Sequence, residues 1–206
     1  MSDNDFTDFG KLNIHKKKKT PLVKKLFGEV SENYDLMNDI MSLGVHRIWK
    51  NNFLDWMAPR QNYHLLDLAG GTGDIALGFL NRGGGKATIA DLNFQMLSVG
   101  KQKNSSISLN GNLSWLACNG EKLPFNDNNF DIVSISFGLR NITHKSNALN
   151  EIFRVLKPGG RFMCLEFSKV NVSALNFFYQ IWSSKVIPNL GARVSGQKEN
   201  YEYLIE

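Results

Sequence analysis

The sequence predicts an α/β protein: a doubly wound, mainly parallel sheet behind an N-terminal layer of helices. Three observations predict it. First, His64-Leu65-Leu66-Asp67-Leu68-Ala69 is a short apolar run that passes through Gly70-Gly71-Thr72-Gly73 into good helix formers from Asp74. That is the pattern of a covered strand, a glycine turn and a helix start. Second, from Asn62 onward such runs alternate with amphipathic stretches, which means βαβ units joined by crossovers. Third, the next run, Lys86 to Asp91, ends in an acid 18 residues after Gly73, at the strand end where open α/β sheets bind ligands.

The elements follow in chain order. Residues 1–20 are polar and charged without periodicity, and read as a disordered basic tail. Residues 21–60 carry apolar residues at helical spacing, from Val23 and Leu26 through Tyr34, Met37 and Trp49 to Trp56, and are expected to form a helical cap that ends at Pro59. Residues 61–206 form the sheet domain. Its strands are His64–Ala69, Lys86–Asp91, Leu113–Cys118, Phe130–Phe137 and Arg161–Glu166. Its helices are Asp74–Asn81, Asn93–Lys103 with Asn93 near the N-cap, and a helix from Thr143 or His144 to Leu156. Arg82-Gly83-Gly84-Gly85 closes the first helix with a glycine cap, and Lys157-Pro158-Gly159-Gly160 is a tight turn into the last strand. Asn176–Ile187 is aromatic-rich at helical spacing, either a helix on the sheet or an apolar pocket wall. The chain stops at Tyr203-Leu204-Ile205-Glu206, within what reads as another helix, so a C-terminally truncated domain is expected.

Totals exclude several classes. The 206 residues suffice for one domain with a substantial core. No apolar run is long enough to cross a bilayer and the first residues have no signal core, so the expected location is cytoplasmic. Cys118 and Cys164 fall in strands and read as free core thiols, too few for a disulfide framework. His15, His46, His64 and His144 have no metal-ligand spacing, so no metal is expected. The net charge is +5, and residues 1–27 hold seven lysines against three aspartates. Lys16 to Lys19 are either a solvated tail or a contact for an anionic surface. The folded part has no basic face, which argues against nucleic acid.

Gly71, Gly73 and the start of a helix aim N–H groups at one spot. With Asp91 they fit a nicotinamide dinucleotide, the acid binding a ribose hydroxyl, and hence an oxidoreductase. Two features favour S-adenosylmethionine instead. Asp67, three residues before the glycines, would repel a pyrophosphate but suits an ammonium group, if it is not simply a cap of the turn. Asn119 and Gly120, after the third strand, offer an amide and open backbone to an adenine edge. Ser136, near the end of the fourth strand, would then lie beside the sulfonium end.

Two longer motifs frame these residues. Tyr34-Asp35-Leu36-Met37-Asn38, followed by Ser42, His46 and Trp49, and Arg154-Val155-Leu156-Lys157-Pro158-Gly159-Gly160, followed by Glu166 and Ser168, resemble the two signatures of the ubiquinone/menaquinone biosynthesis C-methyltransferases. LDLAGGTGD, NGEKLPF and ISFGLRN between them are similar to the same family. The resemblance implies a Rossmann-like class I methyltransferase fold with strand order 3-2-1-4-5. It implies methyl transfer from S-adenosylmethionine to a ring carbon of a polyprenyl benzoquinol or demethylmenaquinol. It places cofactor contacts on Thr72, Asp91, Asn119, Gly120 and Ser136. Gly120 departs from the family's usual alanine, which a backbone contact tolerates.

For the chemistry, the acceptor ring needs its hydroxyl held as a phenolate and later loses a proton. Asp74 and Arg140 follow neighbouring strands in that order and are expected to cooperate, Arg140 electrostatically. Arg140 pairing structurally with an acid is the alternative. Tyr34, Asp35 and His46 are further candidates for this chemistry, of which His46 and Tyr34 read rather as parts of a helical lid. A lipid-soluble quinol suggests peripheral contact at the inner membrane face through the lysines and Phe177, Phe178 and Trp182. A homodimer, or a place in a quinone-biosynthesis complex with or without catalysis, is also compatible.

Overall fold

The computed structural model describes residues 5–10, 12–105 and 111–167. The aromatic stretch 176–187, with Phe177, Phe178 and Trp182, and the chain end at 203–206 lie outside them. The chain divides into two compact units, with the boundary inside a helix between Ile48 and Trp49.

The first unit corrects the reading of a disordered tail. Phe6–Phe9 (β1) and Leu12–His15 (β2) form an antiparallel hairpin turned at Gly10, whose φ is +57°. Helix α1 follows at once, Lys16–Val30. His15 caps it, its ring nitrogen accepting from the Lys17 amide, and stacks edge-on against Phe6. The lysine run thus opens a helix, where long side chains have good propensity, and Lys19 is buried. Pro21 sits inside α1 instead of starting order. Helix α2, Tyr34–Ser42, is followed by α3, Val45–Met57. His46 is buried and paired through Nδ1 with the Ser42 hydroxyl at 2.8 Å. Its other ring nitrogen lies 3.7 Å from Asp39, so its bonds are structural.

The second unit is the sheet. Its strands are β3 (His64–Leu68), β4 (Lys86–Asp91), β5 (Leu113–Ala117), β6 (Phe130–Ser136) and β7 (Leu156–Leu165). All neighbours are parallel, in the order β5-β4-β3-β6-β7. Counted from the first strand of the sheet this is the expected 3-2-1-4-5. The helices are α4 (Asp74–Asn81), α5 (Phe94–Lys103) and α6 (Lys145–Val155). Asn93 caps α5, its Oδ1 accepting from the amides of Gln95 and Met96. Gly83, at φ +86°, ends α4, with the Gly84 and Gly83 amides returned to Phe79 and Leu80.

The two faces of β3 explain the layering. Leu65 points to one face with Ile75, Ala76 and Phe79 of α4, Leu97 of α5, and Phe53, Leu54 and Met57 of α3. Leu66 and Leu68 point to the other with Ile152 and Val155 of α6. Alternate residues of a strand face opposite sides, so both faces are apolar and both are covered. The second half of α3 belongs to this core, which is why the unit boundary falls before Trp49 and not at Pro59.

Lys157-Pro158-Gly159-Gly160 is not a turn before β7 but a bulge within it. Leu156 pairs with Phe130 and Arg161 with Ile132, so the four residues between loop out of the ladder. The cysteines also differ from expectation: both are free, but Cys118 is only half-buried just beyond β5 and Cys164 is exposed on β7, the edge strand of the described sheet. Burial and the nearby Asp91 push the Cys118 thiol up to about 11, so it stays protonated and unreactive.

Candidate active site

The carboxyl ends of β3, β4, β5 and β6 gather the predicted residues. Asp67 and Ser134 are register partners on β3 and β6. The Ser134 hydroxyl donates to Asp67 at 2.8 Å, and the Ala76 amide in the first turn of α4 donates to its other oxygen at 3.3 Å. Asp67 is 1% exposed. Burial pushes its carboxyl up to about 7, against the opposing pull of those hydrogen bonds and of Lys50. Those two hydrogen bonds fasten the start of α4 to the sheet, as a cap of the turn does.

The turn between β3 and α4 rests on Gly73. Its φ is +92°, and a Cβ there would meet Ile89 at 2.6 Å and Trp115 at 2.9 Å. Thr72 is 4% exposed, so its side chain is largely enclosed. Gly71, at φ +54°, donates its amide to Asp91 Oδ2 at 2.9 Å, not to open space. The Asn93 amide donates to Asp91 Oδ1 at 2.7 Å. The chain therefore clasps Asp91 from two sides and fixes both oxygens. Burial raises its carboxyl above the ordinary range. The Leu92 amide is a third donor, so the carboxylate is held in one orientation at the end of β4 and keeps only its remaining lone-pair capacity for a hydroxyl donor.

Beyond β5, Asn119 is exposed, and its Oδ1 accepts from the Glu121 amide at 2.9 Å. That leaves the amide NH2 for an acceptor outside. A Cβ on Gly120 would stand 3.3 Å from a Leu68 methyl, so alanine would fit with a small shift. This loop is pinned from below. Arg154 donates to the carbonyls of Leu123 and Phe125 and to the carboxylates of Asp127 and Glu151, and Glu151 accepts from the Leu123 amide. The arginine of the second signature is thus a loop anchor. His144 holds Glu121 at 2.8 Å from the other side.

Ser136 ends β6, and its Oγ is buried without a hydrogen-bond partner among the described residues. A buried hydroxyl is normally satisfied, so this one calls for a ligand atom. A buried hydroxyl with no partner among the described residues, a carboxylate fixed in orientation and an outward amide, on three strand ends, fit the polar groups of S-adenosylmethionine. No group of three or more histidine, cysteine, aspartate or glutamate residues among the described residues would hold a metal.

On the acceptor side, Asp74 and Arg140 stand beyond neighbouring strands, but each has another partner. Lys50 of α3 donates to Asp74 Oδ2 at 2.7 Å. Glu166 accepts from the Arg140 amide at 3.3 Å and lies 3.9 Å from its Nε. Sequence reasoning gave Lys50 and Ser134 no role and quoted Glu166 only within a signature. Nothing local marks Lys50; its partner is 24 residues away. Phe137 follows Ser136 at φ +57° and meets Trp49 with ring centroids 6.5 Å apart. A bulky residue in that region is strained, and the strain lies beside the site.

A sequence profile of the ubiE/COQ5 methyltransferase family matches residues 13–206. The chain belongs to this family. It is 45% identical over 204 residues to the ubiquinone/menaquinone biosynthesis C-methyltransferase UbiE of Roseobacter denitrificans, covering 98% of this chain and 82% of that one. It is 48% identical over 202 residues to the UbiE of Bartonella quintana, covering 96% and 78%. The fold resembles the crystal structure of a SAM dependent methyltransferase from Aquifex aeolicus at a TM-score of 0.53 and 20% identity, over 60% of this chain and 66% of that one. The methyltransferase uses S-adenosylmethionine. The nicotinamide reading of the glycine turn is set aside. No helix among the described residues is long and apolar enough to cross a membrane.

Proposed function

We propose that this methyltransferase places a methyl group on a ring carbon of a polyprenyl benzoquinol or a demethylmenaquinol. The identity of 45% or more to two relatives named for that reaction, over nearly the whole chain, carries the reading. The site chemistry agrees with it. Asp91 takes the ribose diol of the cofactor, Asn119 and the Gly120 backbone the adenine edge, and Ser136 a polar atom near the sulfonium. Gly71, Gly73 and Thr72 shape the wall against the methionine moiety, and Asp67 fixes that wall from behind. The cofactor supplies an activated methyl on a sulfonium, so in-line transfer asks for alignment and a dry site.

The acceptor needs more. A quinol carbon attacks far better once its hydroxyl is held as a phenolate. Arg140, steadied by Glu166, provides a fixed positive charge for that oxygen, and cannot itself serve as the base. Asp74, half exposed at the start of α4, accepts the hydroxyl proton, directly or through water. After transfer the methylated ring carbon gives up its hydrogen as a proton to water and the ring oxygen takes its proton back from Asp74, so that one proton is released overall. The substrate's tail lies in a membrane. Lys17 and Lys18, exposed on α1, give the protein an attraction to its anionic surface.

The test is incubation of the protein with trideuteromethyl S-adenosylmethionine and a short-chain demethylmenaquinol, then the corresponding demethyl benzoquinol. Mass spectrometry of the ring should show one labelled methyl on carbon. Labelling on oxygen, or none with either quinol, would overturn the proposal.

A further inference from the structure

Lys50 is the unexpected member of the site. Its side chain is 14% exposed, against 47% for its partner Asp74, and the two meet at 2.7 Å. The ammonium therefore comes from within the protein and the carboxylate opens outward. The packing of α3 on α4 fixes this meeting. Gly78 of α4 lies so close to Leu54 of α3 that a Cβ there would collide with the Leu54 side chain. One turn earlier on each helix stand Asp74 and Lys50. The residue before Lys50, Trp49, touches Phe137 beyond β6. Two successive residues of α3 thus reach the ends of β3 and β6, where the acceptor is expected.

Asp74 has a competing attraction. It is the first residue of α4, and its N-cap, Gly73, has no side chain to offer the free amides of that turn. A carboxylate in a first turn is drawn back onto its own helix terminus. The Ala76 amide is already taken by Asp67, and the Asp74 carboxylate meets Lys50.

We propose that Lys50 is a positioning residue of the transfer reaction: it draws the Asp74 carboxylate away from its own helix start and presents it to the acceptor. The inference rests on the assignment of Asp74 to the acceptor side. Lys50 touches neither quinol nor cofactor, and acts through Asp74.

The test compares Lys50→Met, Lys50→Gln, Lys50→Arg, Asp74→Asn and the Lys50→Met/Asp74→Asn double variant. For each, kcat and KM are measured with short-chain demethylmenaquinol, and S-adenosylhomocysteine affinity by calorimetry. Lys50→Met and Lys50→Gln should lose about tenfold or more in kcat, with cofactor affinity within about twofold of wild type. Lys50→Arg should recover part of the loss, because it keeps the charge. The double variant should be no slower than Asp74→Asn alone, since two residues acting as one unit are not additive. A melting temperature identifies any variant that fails to fold, and the remaining Lys50 variants then decide. If Asp74→Asn loses kcat and the folded Lys50 variants do not, the Lys50 inference is wrong. If Asp74→Asn keeps wild-type kcat, the acceptor-side role of Asp74 falls, and with it the inference. Equal losses in kcat and cofactor affinity would make Lys50 a general structural support and also overturn it.

Discussion

Replacing Asp67 by asparagine should change how stability responds to pH. The native carboxyl is raised from 3.8 to about 7, chiefly by burial. A carboxyl raised on folding favours the native state while it is protonated. That stability is fully present below the unfolded value of about 3.8 and is lost as pH rises to about 7. One pKa unit corresponds to about 1.4 kcal/mol, so the whole change is about 4 kcal/mol. Roughly 2.5 kcal/mol of it falls between about pH 5 and about pH 8. Asparagine does not titrate. Its oxygen accepts from the Ala76 amide and its NH2 donates to the Ser134 hydroxyl, so both hydrogen bonds survive with one reversed. Urea unfolding of both proteins across this range isolates the effect, because every other titrating group is common to them. The advantage of the variant should grow by about 2.5 kcal/mol with rising pH. Parallel curves would refute the buried, raised carboxyl. Affinity for S-adenosylhomocysteine should stay within about twofold, since Asp67 is enclosed. A loss of tenfold or more would restore a direct ammonium contact.

Four further outcomes follow from single contacts. Arg140→Ala should lower kcat by about a hundredfold, with cofactor affinity almost unchanged; steady-state kinetics and calorimetry together check this, and equal losses would remove Arg140 from the acceptor side. Ser136→Ala should weaken S-adenosylhomocysteine binding by about 1 kcal/mol without lowering the melting temperature, because its Oγ has no partner among the described residues. Gly73→Ala should abolish cofactor binding and destabilise the fold, given its φ of +92° and the 2.6 Å approach to Ile89, whereas Gly120→Ala should leave both nearly as they are; calorimetry and thermal melting of the pair give the contrast. Arg154→Met removes the guanidinium donor from the Leu123 and Phe125 carbonyls and leaves the Glu151 carboxylate only the Leu123 amide. It should cost about 2–3 kcal/mol in urea unfolding, and faster amide exchange across residues 119–127 should accompany it.

What the sequence determined by itself is mostly local. Asp74–Asn81 and Lys86–Asp91 appear with the expected ends. Glycines, caps and apolar periodicity act within a few residues of where they are read. The N-terminal segment was misread because composition alone does not reveal a hairpin closed by Phe6 and His15, nor a lysine run whose fourth member is buried. The site divides in the same way. The positions of Asp91 and Ser136 at strand ends are legible, because apolar runs that close on a polar residue mark where a strand stops. The glycine turn was legible too, but its Gly71 amide donates to Asp91, and Asp67 accepts from the Ala76 amide of α4. Only the tertiary structure decided who partners whom. Ser134 meets Asp67 across 67 residues, and Lys50 meets Asp74 across 24. Those meetings depend on sheet register and on the close approach of α3 to α4. They arise from packing between elements, which local patterns along the chain do not encode.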